Sequence, residues 1–385
     1  MKNYRRRSKH DIYNSKGTIT YQIQGYALGL FLFALFTIVI IGILNNDGEL
    51  NTNDKNIQIN KIKTAKGFVS LAEILENAYK PNGFDVDLLE NNIIPKIRMK
   101  KTQTCNQIYT NWLAAAKTDI TPSNNPQILL KDNFTLNGYS TMSKCYYNDS
   151  YNNAQSNYDE IIEASKRWTQ QSIDKWINQI KNGNNSELQI SQYSDGVSLY
   201  YATKYYNIIG KVGAVIGSII PWVETMCLTN GASKVVTIDY QYIKIGHKDI
   251  IFLDAFDIVK RKELYFNSFD FIASFSSIEH SGLGRYGDPI DPIGDIREMQ
   301  KLSCILKPGG LFFLGIPVGQ DDVGYNCHRT YGRIRLPLMF AGFQLLDVFY
   351  MQAKPLDLNV DVFEDNHGRN PINSTQFVFV LKNAK

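Results

Sequence analysis

A polar loop in the second half of the chain places a glutamate beside a histidine, Glu279 and His280. A carboxyl group or an imidazole can take a proton from an attacking hydroxyl or amine, which is the role of a general base. A second histidine, His328, lies in another polar segment further along the chain. These three residues are our candidates for catalysis, set against the commoner structural role of a lone histidine.

Two apolar runs must position these loops. The first, residues 269–275, ends just before Ser276 and Glu279, and the second, residues 311–316, precedes the segment with His328. A helix-period stretch and a Lys-Pro-Gly-Gly turn lie between the two runs, and the whole pattern predicts a βαβ unit with parallel strands. Since ligands bind beyond the carboxyl ends of such strands, both loops are expected at one edge of the sheet.

Four other side chains in these loops are candidates for contact with a substrate: Arg285, Asp288, Arg329 and Tyr331. Asp288, together with Asp291 and Asp295, could also supply oxygen ligands to Mg²⁺, Ca²⁺ or Mn²⁺. The Asp-Pro pairs that begin at Asp288 and Asp291 are, however, typical of turns and helix N-caps. We favour this structural role and predict no metal site.

Strands and helices alternate from residue 191 onward. Seven strands are predicted, at residues 211–219, 234–238, 249–253, 269–275, 311–316, 343–350 and 376–381. Pro221 suits the first turn of a helix after the first strand, and Asp239 and Asp254 close the second and third strands. This alternation predicts an α/β domain with a mainly parallel sheet and helices on both faces.

Seven strands with an acidic residue after the second resemble the class I S-adenosylmethionine-dependent methyltransferase fold. Four segments, PWVETMCLTNGASKVVTIDY, SSIEHSGLGRYGDPIDPIGD, LKPGGLFFLGIPV and NCHRTYGRIRL, are similar to a family catalogued as a domain of unknown function, DUF268. The resemblance covers the second half of the chain, from near Ser191. It implies a Rossmann-like sheet of the methyltransferase type, with S-adenosylmethionine as the cofactor.

The resemblance also implies roles for four residues near the strand ends. Gly217, in the turn after the first strand, would let the backbone approach the methionine part of the cofactor, and Asp239 would accept hydrogen bonds from both ribose hydroxyls. Asp254 would lie at the adenine edge, and Ser276 beside the cofactor. The turn departs from a G-x-G-x-x-G pattern, because its second and third glycines are missing and residues 219–221 are Ile-Ile-Pro.

The amino-terminal part is organised differently. Residues 1–24 form a basic tail, and residues 25–44 contain no charge and have the length that a helix needs to cross a bilayer. The basic flank predicts an uncleaved signal anchor with a cytosolic amino terminus, which is a type II membrane protein. Residues 45–190 are predicted as a lumenal stem and mainly helical region, and residues 191–385 as the methyltransferase-like domain. The expected location is the secretory pathway, in the ER or Golgi, or at the cell surface.

Charge and sequence motifs agree with that location. The first 44 residues carry six Lys or Arg and one Asp, so the rest of the +4 chain is slightly acidic, which excludes a basic surface for nucleic acid. Cys227 and Cys304 lie in helical patterns and are expected to be buried and free, so Cys105 with Cys145 is the predicted disulfide. Four N-x-S/T sequons are candidate glycosylation sites: Asn133, Asn148, Asn184 and Asn373.

These observations together predict a single-pass membrane protein whose lumenal domain transfers a methyl group from S-adenosylmethionine to a glycan, lipid or protein. Two alternatives stay open. The incomplete glycine turn favours a lumenal binding or scaffold protein that retains the fold without catalysis. An anchor, a stem and a lumenal domain are also the layout of glycosyltransferases, for which Asp85-Val86-Asp87 is the tempting D-x-D sequence.

Overall fold

The computed structural model describes residues 61–87, 92–116, 128–144, 166–182, 193–364 and 375–385, all within the compact unit Gln58–Lys385. Several predictions therefore concern residues outside the described part: the tail 1–24, the span 25–44, Cys145, and the sequons at Asn148, Asn184 and Asn373. Within the described ranges, no helix has the length and apolar character that crossing a bilayer requires. The sequon residue Asn133 is described, and its side chain is exposed.

The region before the predicted domain contains short strands as well as helices. Its elements are β1 (Lys61–Thr64), β2 (Gly67–Ser70), α1 (Leu71–Ile74), β3 (Phe84–Val86), β4 (Ile97–Met99), α2 (Cys105–Ala116), α3 (Lys131–Phe134), β5 (Thr141–Lys144) and α4 (Gln170–Asn182). Strands β1 and β2 form one antiparallel hairpin, and β3 and β4 form another. Residues on both sides of the boundary expected between 190 and 191 belong to the same compact unit.

A disulfide ties this region to the rest of the fold. Cys105, the first residue of α2, is bonded to Cys304, with 5.7 Å between their Cα atoms. The predicted Cys105–Cys145 pairing is therefore wrong, and so is the expectation that Cys304 is free. The sequence hides this pairing, because the two cysteines are 199 residues apart and meet only when two helices pack. Cys227 is buried and free, as predicted, and Cys327 is also in a disulfide.

The remaining elements alternate as the sequence predicted. They are α5 (Val197–Tyr205), β6 (Val212–Ile216), α6 (Trp222–Thr229), β7 (Lys234–Asp239), β8 (Ile250–Asp254), α7 (Ala255–Lys260), β9 (Phe269–Phe275), α8 (Gly294–Ile305), β10 (Leu306–Pro317), β11 (Asp322–Tyr325), β12 (His328–Thr330), α9 (Arg335–Met339), β13 (Phe343–Phe349), α10 (Asp361–Glu364) and β14 (Gln376–Asn383). Each of the seven predicted strands is present within a few residues of its expected bounds.

Those seven strands form a single mixed sheet in the order β13-β14-β10-β9-β6-β7-β8. Strands β6 to β10 run parallel to one another, whereas β14 runs antiparallel to both β10 and β13. This confirms the expected α/β fold with a seven-stranded sheet of the methyltransferase type. The chain extends from β6 through β7 to β8 on one side, and β9 and β10 lie on the other side.

Helices cover both faces of the sheet. Along β9, Ile272 contacts the core that includes α2 and α8, while Phe271 and Ala273 contact the core that includes α5 and α6. Because successive side chains of a strand point to opposite faces, burial on both faces makes β9 an almost continuous apolar run. That run is why the strand could be predicted from the sequence alone.

A second, smaller sheet was not predicted. Strand β11 pairs with β12 in an antiparallel register and with β5 in a parallel one. The segment after residue 326, expected to be a polar loop, contains β12 and then the short helix α9. Pairing with β5 stabilises β11, and β5 lies far back in the sequence.

Candidate active site

The carboxyl ends of β6, β7, β8 and β9 lie at one edge of the main sheet, since these strands are parallel. The switch in strand order falls between β6 and β9, which is where open α/β sheets bind ligands. Gly217 follows β6, Asp239 closes β7, and Ser276 follows β9. The fold therefore brings the predicted cofactor residues to the expected edge.

The turn after β6 requires a glycine at its first position. Gly217 has a φ of +65°, and its N–H donates to the carbonyl of Ile238 at 3.0 Å. A Cβ added to Gly217 would lie 2.0 Å from the Oγ of Ser277, in the loop after β9. The two loops are thus in direct contact across the switch point, and Ser277 covers one face of the glycine.

Asp239 is held by backbone groups at the end of β7. Its Oδ2 accepts from the N–H of Ser218 at 3.2 Å, and its Oδ1 accepts from the N–H of Gln241 at 2.9 Å. Burial raises the pKa of Asp239 to about 6, and the nearby Asp254 carboxylate adds to the shift. The backbone N–H of Tyr240 also hydrogen-bonds this carboxylate. Since a carboxylate offers about four acceptor positions, about one remains for a ligand's hydroxyl group.

Asp254 lies opposite Asp239 in the register of β7 and β8. Its Oδ1 accepts from the N–H groups of Phe256 and Asp257, at 2.8 and 3.0 Å. Asp254 is thus the N-cap of α7. Its cap bonds fix the side chain beside Asp239, at the position where the resemblance puts the adenine edge.

Ser276 begins the loop after β9 in a left-handed conformation, with φ of +51°. Its N–H donates to the carbonyl of Gly315 at 3.0 Å, and its hydroxyl hydrogen-bonds the side chains of Glu279 and Tyr193. A serine rarely adopts this backbone conformation, and such residues are concentrated at functional sites. Ser276 therefore links the end of the strand to the catalytic candidate Glu279.

Glu279 is almost completely buried, with 1% of its surface exposed. Burial raises its pKa to about 7, a shift that its hydrogen bonds and the Arg285 guanidinium partly offset. Its Oε2 atom is buried and has no hydrogen-bond partner among the described residues. An unpaired buried oxygen is costly and is uncommon in structural loops. Glu279 is therefore populated in both protonation states near neutral pH, as a general base requires.

His280 is neutral, and its imidazole ring faces Glu279. Its Nδ1 donates to the carbonyl oxygen of Cys327, which leaves the lone pair on Nε2, 3.8 Å from the Oε1 of Glu279. Burial and the Arg285 guanidinium lower the pKa of His280 to about 3. Its ring lies 6.4 Å from that of His328, whose pKa is also lowered by burial. The structure thus brings Glu279, His280 and His328 together, as the strand-end argument predicted.

Arg285 lies at the open side of this cluster. Its guanidinium is 5.0 Å from the ring centroid of Tyr286, which in turn packs edge-on against His280 at 5.1 Å. Its positive charge acts on Glu279, His280 and His328 alike. Of the four predicted substrate contacts, Arg285 is the one that lies beside the catalytic candidates and is partly exposed.

The other three predicted substrate contacts have supporting positions. Asp288 accepts from the N–H groups of Gly282, Gly284 and Tyr286 at 2.7, 3.0 and 3.2 Å, and so fixes the glycine-rich loop. The prediction that it contacts a substrate does not match this geometry, because both of its oxygens are used inside the loop. The alternative reading of the Asp-Pro pair as a turn residue matches what the structure contains.

Arg329 and Tyr331 are completely buried, so the structure gives them a different place from the one expected. The Arg329 guanidinium donates to the carbonyls of Glu279 and Ser281 at 3.3 and 2.6 Å. The Tyr331 hydroxyl donates to Asp295, which also forms a buried ion pair with Arg335 at 2.7 Å. These residues hold the loop after β9 against α8 and do not face a substrate.

Two contributors were missed by sequence reasoning. Tyr193 contacts Ser276 from the segment before α5, and nothing in its sequence context marks it. Trp168 donates its indole N–H to the carbonyl of Ile219 at 3.0 Å, which anchors the glycine turn to the preceding region. Nothing in the sequence around Trp168 indicates this hydrogen bond, because Ile219 lies 51 residues further along the chain.

The remaining sequence candidates lie elsewhere. Asp85 and Asp87 of the D-x-D sequence lie at the β3–β4 hairpin and pair with Arg98, at 3.4 and 3.1 Å. Asp291 is used by Arg297, whose Nε is 2.6 Å from its Oδ2. Within the ranges that the structure describes, no group of three or more His, Cys, Asp or Glu side chains is arranged to hold a metal ion.

Comparison with known proteins adds a family and a set of distant structures. Residues 210–384 match the family described as "Caenorhabditis protein of unknown function, DUF268", which confirms the family resemblance. No match was found among curated proteins.

The chain is also similar to solved bacterial methyltransferases. It is 13% identical to the 1,6-didemethyltoxoflavin-N1-methyltransferase of Burkholderia thailandensis, with a TM-score of 0.35 over 60% of this chain and 91% of that one. It is 12% identical to a putative S-adenosylmethionine-dependent methyltransferase of Listeria monocytogenes, with a TM-score of 0.32 over 49% of this chain and 100% of that one. The fold assignment itself rests on the sheet order and the strand directions.

Proposed function

We propose that this protein is a methyltransferase that uses S-adenosylmethionine and that Glu279 is its general base. The observation that carries this proposal is the Glu279 carboxyl group, which is buried beyond β9 with one oxygen unpartnered and with a pKa of about 7. A buried group with these properties at the switch point of an α/β sheet is typical of a working site. A structural carboxylate would be fully hydrogen-bonded, as Asp288 is.

The residues at the strand ends fit the nucleoside half of the cofactor. Asp239 retains acceptor capacity that a ribose hydroxyl could use, and Asp254 is fixed beside it by its cap bonds. Gly217 would place backbone close to the amino-acid half. When bound, S-adenosylmethionine supplies an electrophilic methyl group attached to a sulfonium.

The chain's own residues would handle the proton. Ionised Glu279 takes the proton from an acceptor hydroxyl or amine. Because its pKa is near neutrality, both the ionised and the protonated forms of Glu279 are available in each cycle. Neutral His280 presents the Nε2 lone pair to the same space and can accept a hydrogen bond from the acceptor group. Arg285, with its positive charge close by, favours the ionised form of Glu279.

The acceptor that we propose is a glycan, lipid or protein of the secretory pathway. Two observations support that location: the chain contains a disulfide between Cys105 and Cys304, and Cys327 is also disulfide-bonded. Such bonds persist in oxidising compartments and are rare in the cytosol. The uncharged run at residues 25–44, with its basic flank, would supply the anchor.

One observation favours the second candidate, a binding protein that has lost the reaction. The Ser277 hydroxyl lies directly against Gly217, so the glycine turn is closed on the side of the β9 loop. A cofactor whose amino-acid half lies there would require Ser277 to move. The glycosyltransferase alternative lacks comparable support, since the carboxylates of the D-x-D sequence are paired with Arg98.

Methyl transfer tests the first candidate directly. The full-length protein is incubated with S-adenosylmethionine carrying a labelled methyl group and with glycan, lipid and protein fractions in turn. We expect label in one fraction with the parent protein and none with Glu279→Gln. Label that is transferred equally by Glu279→Gln would contradict the role of Glu279, and binding of the cofactor without any transfer would favour the binding protein.

Membrane topology is tested separately. In cells, treatment with a glycosidase is expected to lower the apparent mass of the protein, and an Asn133→Gln variant should lose part of that shift. Protease added to intact vesicles should remove the amino-terminal tail and leave the carboxyl-terminal domain protected. Protection of the tail with digestion of the domain would overturn the type II orientation.

A further inference from the structure

A second buried glutamate, Glu224, lies beneath the turn that would carry the cofactor. We infer that Glu224 holds a proton at neutral pH, that this proton shapes the turn formed by residues 217–220, and that its loss weakens cofactor binding. Glu224 would then be a positioning residue, since it acts on the ligand through Ser218. This inference rests on the proposed function for its ligand, although the proton itself can be tested independently.

Glu224 lies in the first turn of α6 and has no exposed surface. Its Oε1 accepts a hydrogen bond from the hydroxyl of Thr237 on β7 at 2.8 Å, and its Oε2 lies 3.0 Å from the hydroxyl oxygen of Ser218. The same Ser218 oxygen lies 2.9 Å from the carbonyl oxygen of Ile220. The Ser218 N–H donates to Asp239. One serine thus connects the buried glutamate, the turn and the ribose-binding candidate.

The number of hydrogens available to the contacts among Glu224, Ser218 and Ile220 indicates the protonation state of Glu224. The Ser218 hydroxyl has one hydrogen, and the Ile220 carbonyl can only accept, as can an ionised carboxylate. If Glu224 is ionised, Ser218 can donate to only one of its two neighbours. If Glu224 is protonated, it donates to the Ser218 oxygen and Ser218 donates to Ile220, so every contact becomes a hydrogen bond. The geometry therefore matches the protonated acid.

The electrostatic surroundings point the same way. Burial raises the pKa of Glu224 to about 7, and the carboxylate of Asp239 at the end of β7 raises it further, against the hydrogen bonds that lower it. The other titratable neighbour is the buried thiol of Cys227 on α6, whose own pKa is raised by burial. Neither neighbour supplies the positive charge that would stabilise an ionised Glu224.

Two ionisations would then set the acid and alkaline limits of the pH range in which the cofactor binds. Below about pH 6, Asp239 is protonated and loses acceptor positions for ribose hydroxyls. Above about pH 7, Glu224 ionises, draws the Ser218 hydrogen to itself and releases the carbonyl of Ile220. Binding should therefore be strongest between these values and should fall on either side.

The test is the binding of S-adenosylhomocysteine to the full-length protein from pH 5.5 to 9, measured for the parent and for Glu224→Gln. A glutamine keeps the donor to Ser218 and cannot ionise, so we expect its alkaline fall to disappear while the parent's affinity falls by about tenfold per pH unit beyond the pKa. Glu263→Gln, at an exposed position, is the matched control and should follow the parent. An alkaline fall of equal size in Glu224→Gln would overturn the inference.

Unfolding provides the independent readout. The pKa of Glu224 is raised from 4.5 to about 7, so its contribution to stability is fully present below pH 4.5 and is lost as the pH rises through 7. Glu279 adds a similar loss, so the quantity to compare is the difference between parent and Glu224→Gln. We expect a smaller loss of stability between pH 4.5 and about 7 in Glu224→Gln, and an equal loss would refute the buried proton.

The binding and unfolding measurements separate the proposed function from the claim that Glu224 is protonated. If no variant binds S-adenosylhomocysteine at any pH, the proposed function fails, and the unfolding comparison still decides whether Glu224 is protonated. If Glu224→Gln does not fold, Ser218→Ala replaces it, because removal of the hydroxyl uncouples Glu224 from the turn. Ser218→Ala should bind more weakly at every pH and lose the alkaline fall, and retention of that fall would overturn the inference.

Discussion

At the scale of single residues, the site depends on a carboxyl group whose surroundings favour its neutral form. Glu279 is buried, one of its oxygens is unpartnered, and Arg285 only partly offsets the cost of ionisation. His280, beside it, is kept neutral by the same burial. A pair of titratable groups with shifted pKa values in opposite directions is the arrangement expected of acid/base chemistry.

The rate of methyl transfer should follow the ionisation of Glu279. Because its pKa is raised to about 7, the ionised base is scarce at pH 6 and abundant at pH 8, so the rate should increase through pH 7. Glu279→Gln should lower the rate by roughly 10²-fold or more, which is the usual contribution of a general base. Its free energy of unfolding above pH 7 should be equal to or greater than the parent's, since the amide avoids a buried charge.

Steady-state rates at saturating S-adenosylmethionine, which are independent of the cofactor's affinity, and urea unfolding curves check this prediction. Glu263→Gln is again the exposed control and should match the parent in both measurements. If Glu279→Gln retains the parent's rate, or if the rate does not depend on pH between 6 and 8, Glu279 is not the base. A variant that simply unfolds would indicate a structural role.

The position of each site residue in the fold explains whether it could be predicted from the sequence. Glu279, His280 and His328 were expected together because each follows a strand whose end must lie at one edge of the sheet. Arg329 and Tyr331 were misplaced because both turn inward to Asp295 on α8, which is also paired with Arg335 on α9. Loop position identifies the edge of the sheet, whereas the direction of each side chain depends on partners that are distant in sequence.

At the scale of elements, the contact between the β6 turn and the β9 loop is the critical one. Gly217→Ala would introduce a Cβ that meets the Ser277 hydroxyl oxygen and would also strain a left-handed residue. Gly210→Ala is the matched control, because Gly210 has a similar φ of +71° but no atom lies within 4 Å of its Cβ position. We expect Gly210→Ala to cost about 1–2 kcal/mol from backbone strain alone, and Gly217→Ala to cost more.

A second substitution in the same variant separates the steric clash with Ser277 from the backbone strain at residue 217. Gly217→Ala combined with Ser277→Gly removes the opposing hydroxyl, so part of the lost stability should return. Chemical unfolding of the parent, Gly210→Ala, Gly217→Ala and the double variant measures both effects. If the double variant is no more stable than Gly217→Ala, the two loops do not pack as the structure places them.

The elements themselves were predictable where burial is continuous. Strand β9 and the apolar part of β10 are buried on both faces and give almost continuous apolar runs. Strands β11 and β12 are short and are stabilised by β5, which lies in the preceding region, so no local signal marks them.

At the scale of the whole molecule, the described part of the preceding region belongs to the same compact unit as the sheet. Helix α2 is bonded to α8 through Cys105 and Cys304, and the Trp168 side chain holds the glycine turn. The sequence could not reveal this integration, because the contacts join segments far apart in the chain. Any truncation at residue 190 would remove both contacts.

Removal of the Cys105–Cys304 bridge should therefore destabilise the entire unit. Replacement of both residues by alanine is expected to lower the free energy of unfolding by roughly 2–5 kcal/mol, the range typical of native disulfides in small secreted domains. Cys227→Ala, at the buried free cysteine, provides the comparison and should cost less. Equal losses for the two proteins, measured by urea unfolding without reductant, would show that the bridge contributes nothing beyond packing.

The central claim is that the edge of the sheet near Asp239 binds S-adenosylmethionine, and calorimetric titration of the full-length protein with this cofactor at pH 6.5 tests it most directly. We predict saturable binding at one site per chain, weakened at least about tenfold, or roughly 1.4 kcal/mol, by Asp239→Ala. Glu263→Gln should bind as the parent does. The absence of binding to the parent, or binding that Asp239→Ala leaves unchanged, would contradict the claim.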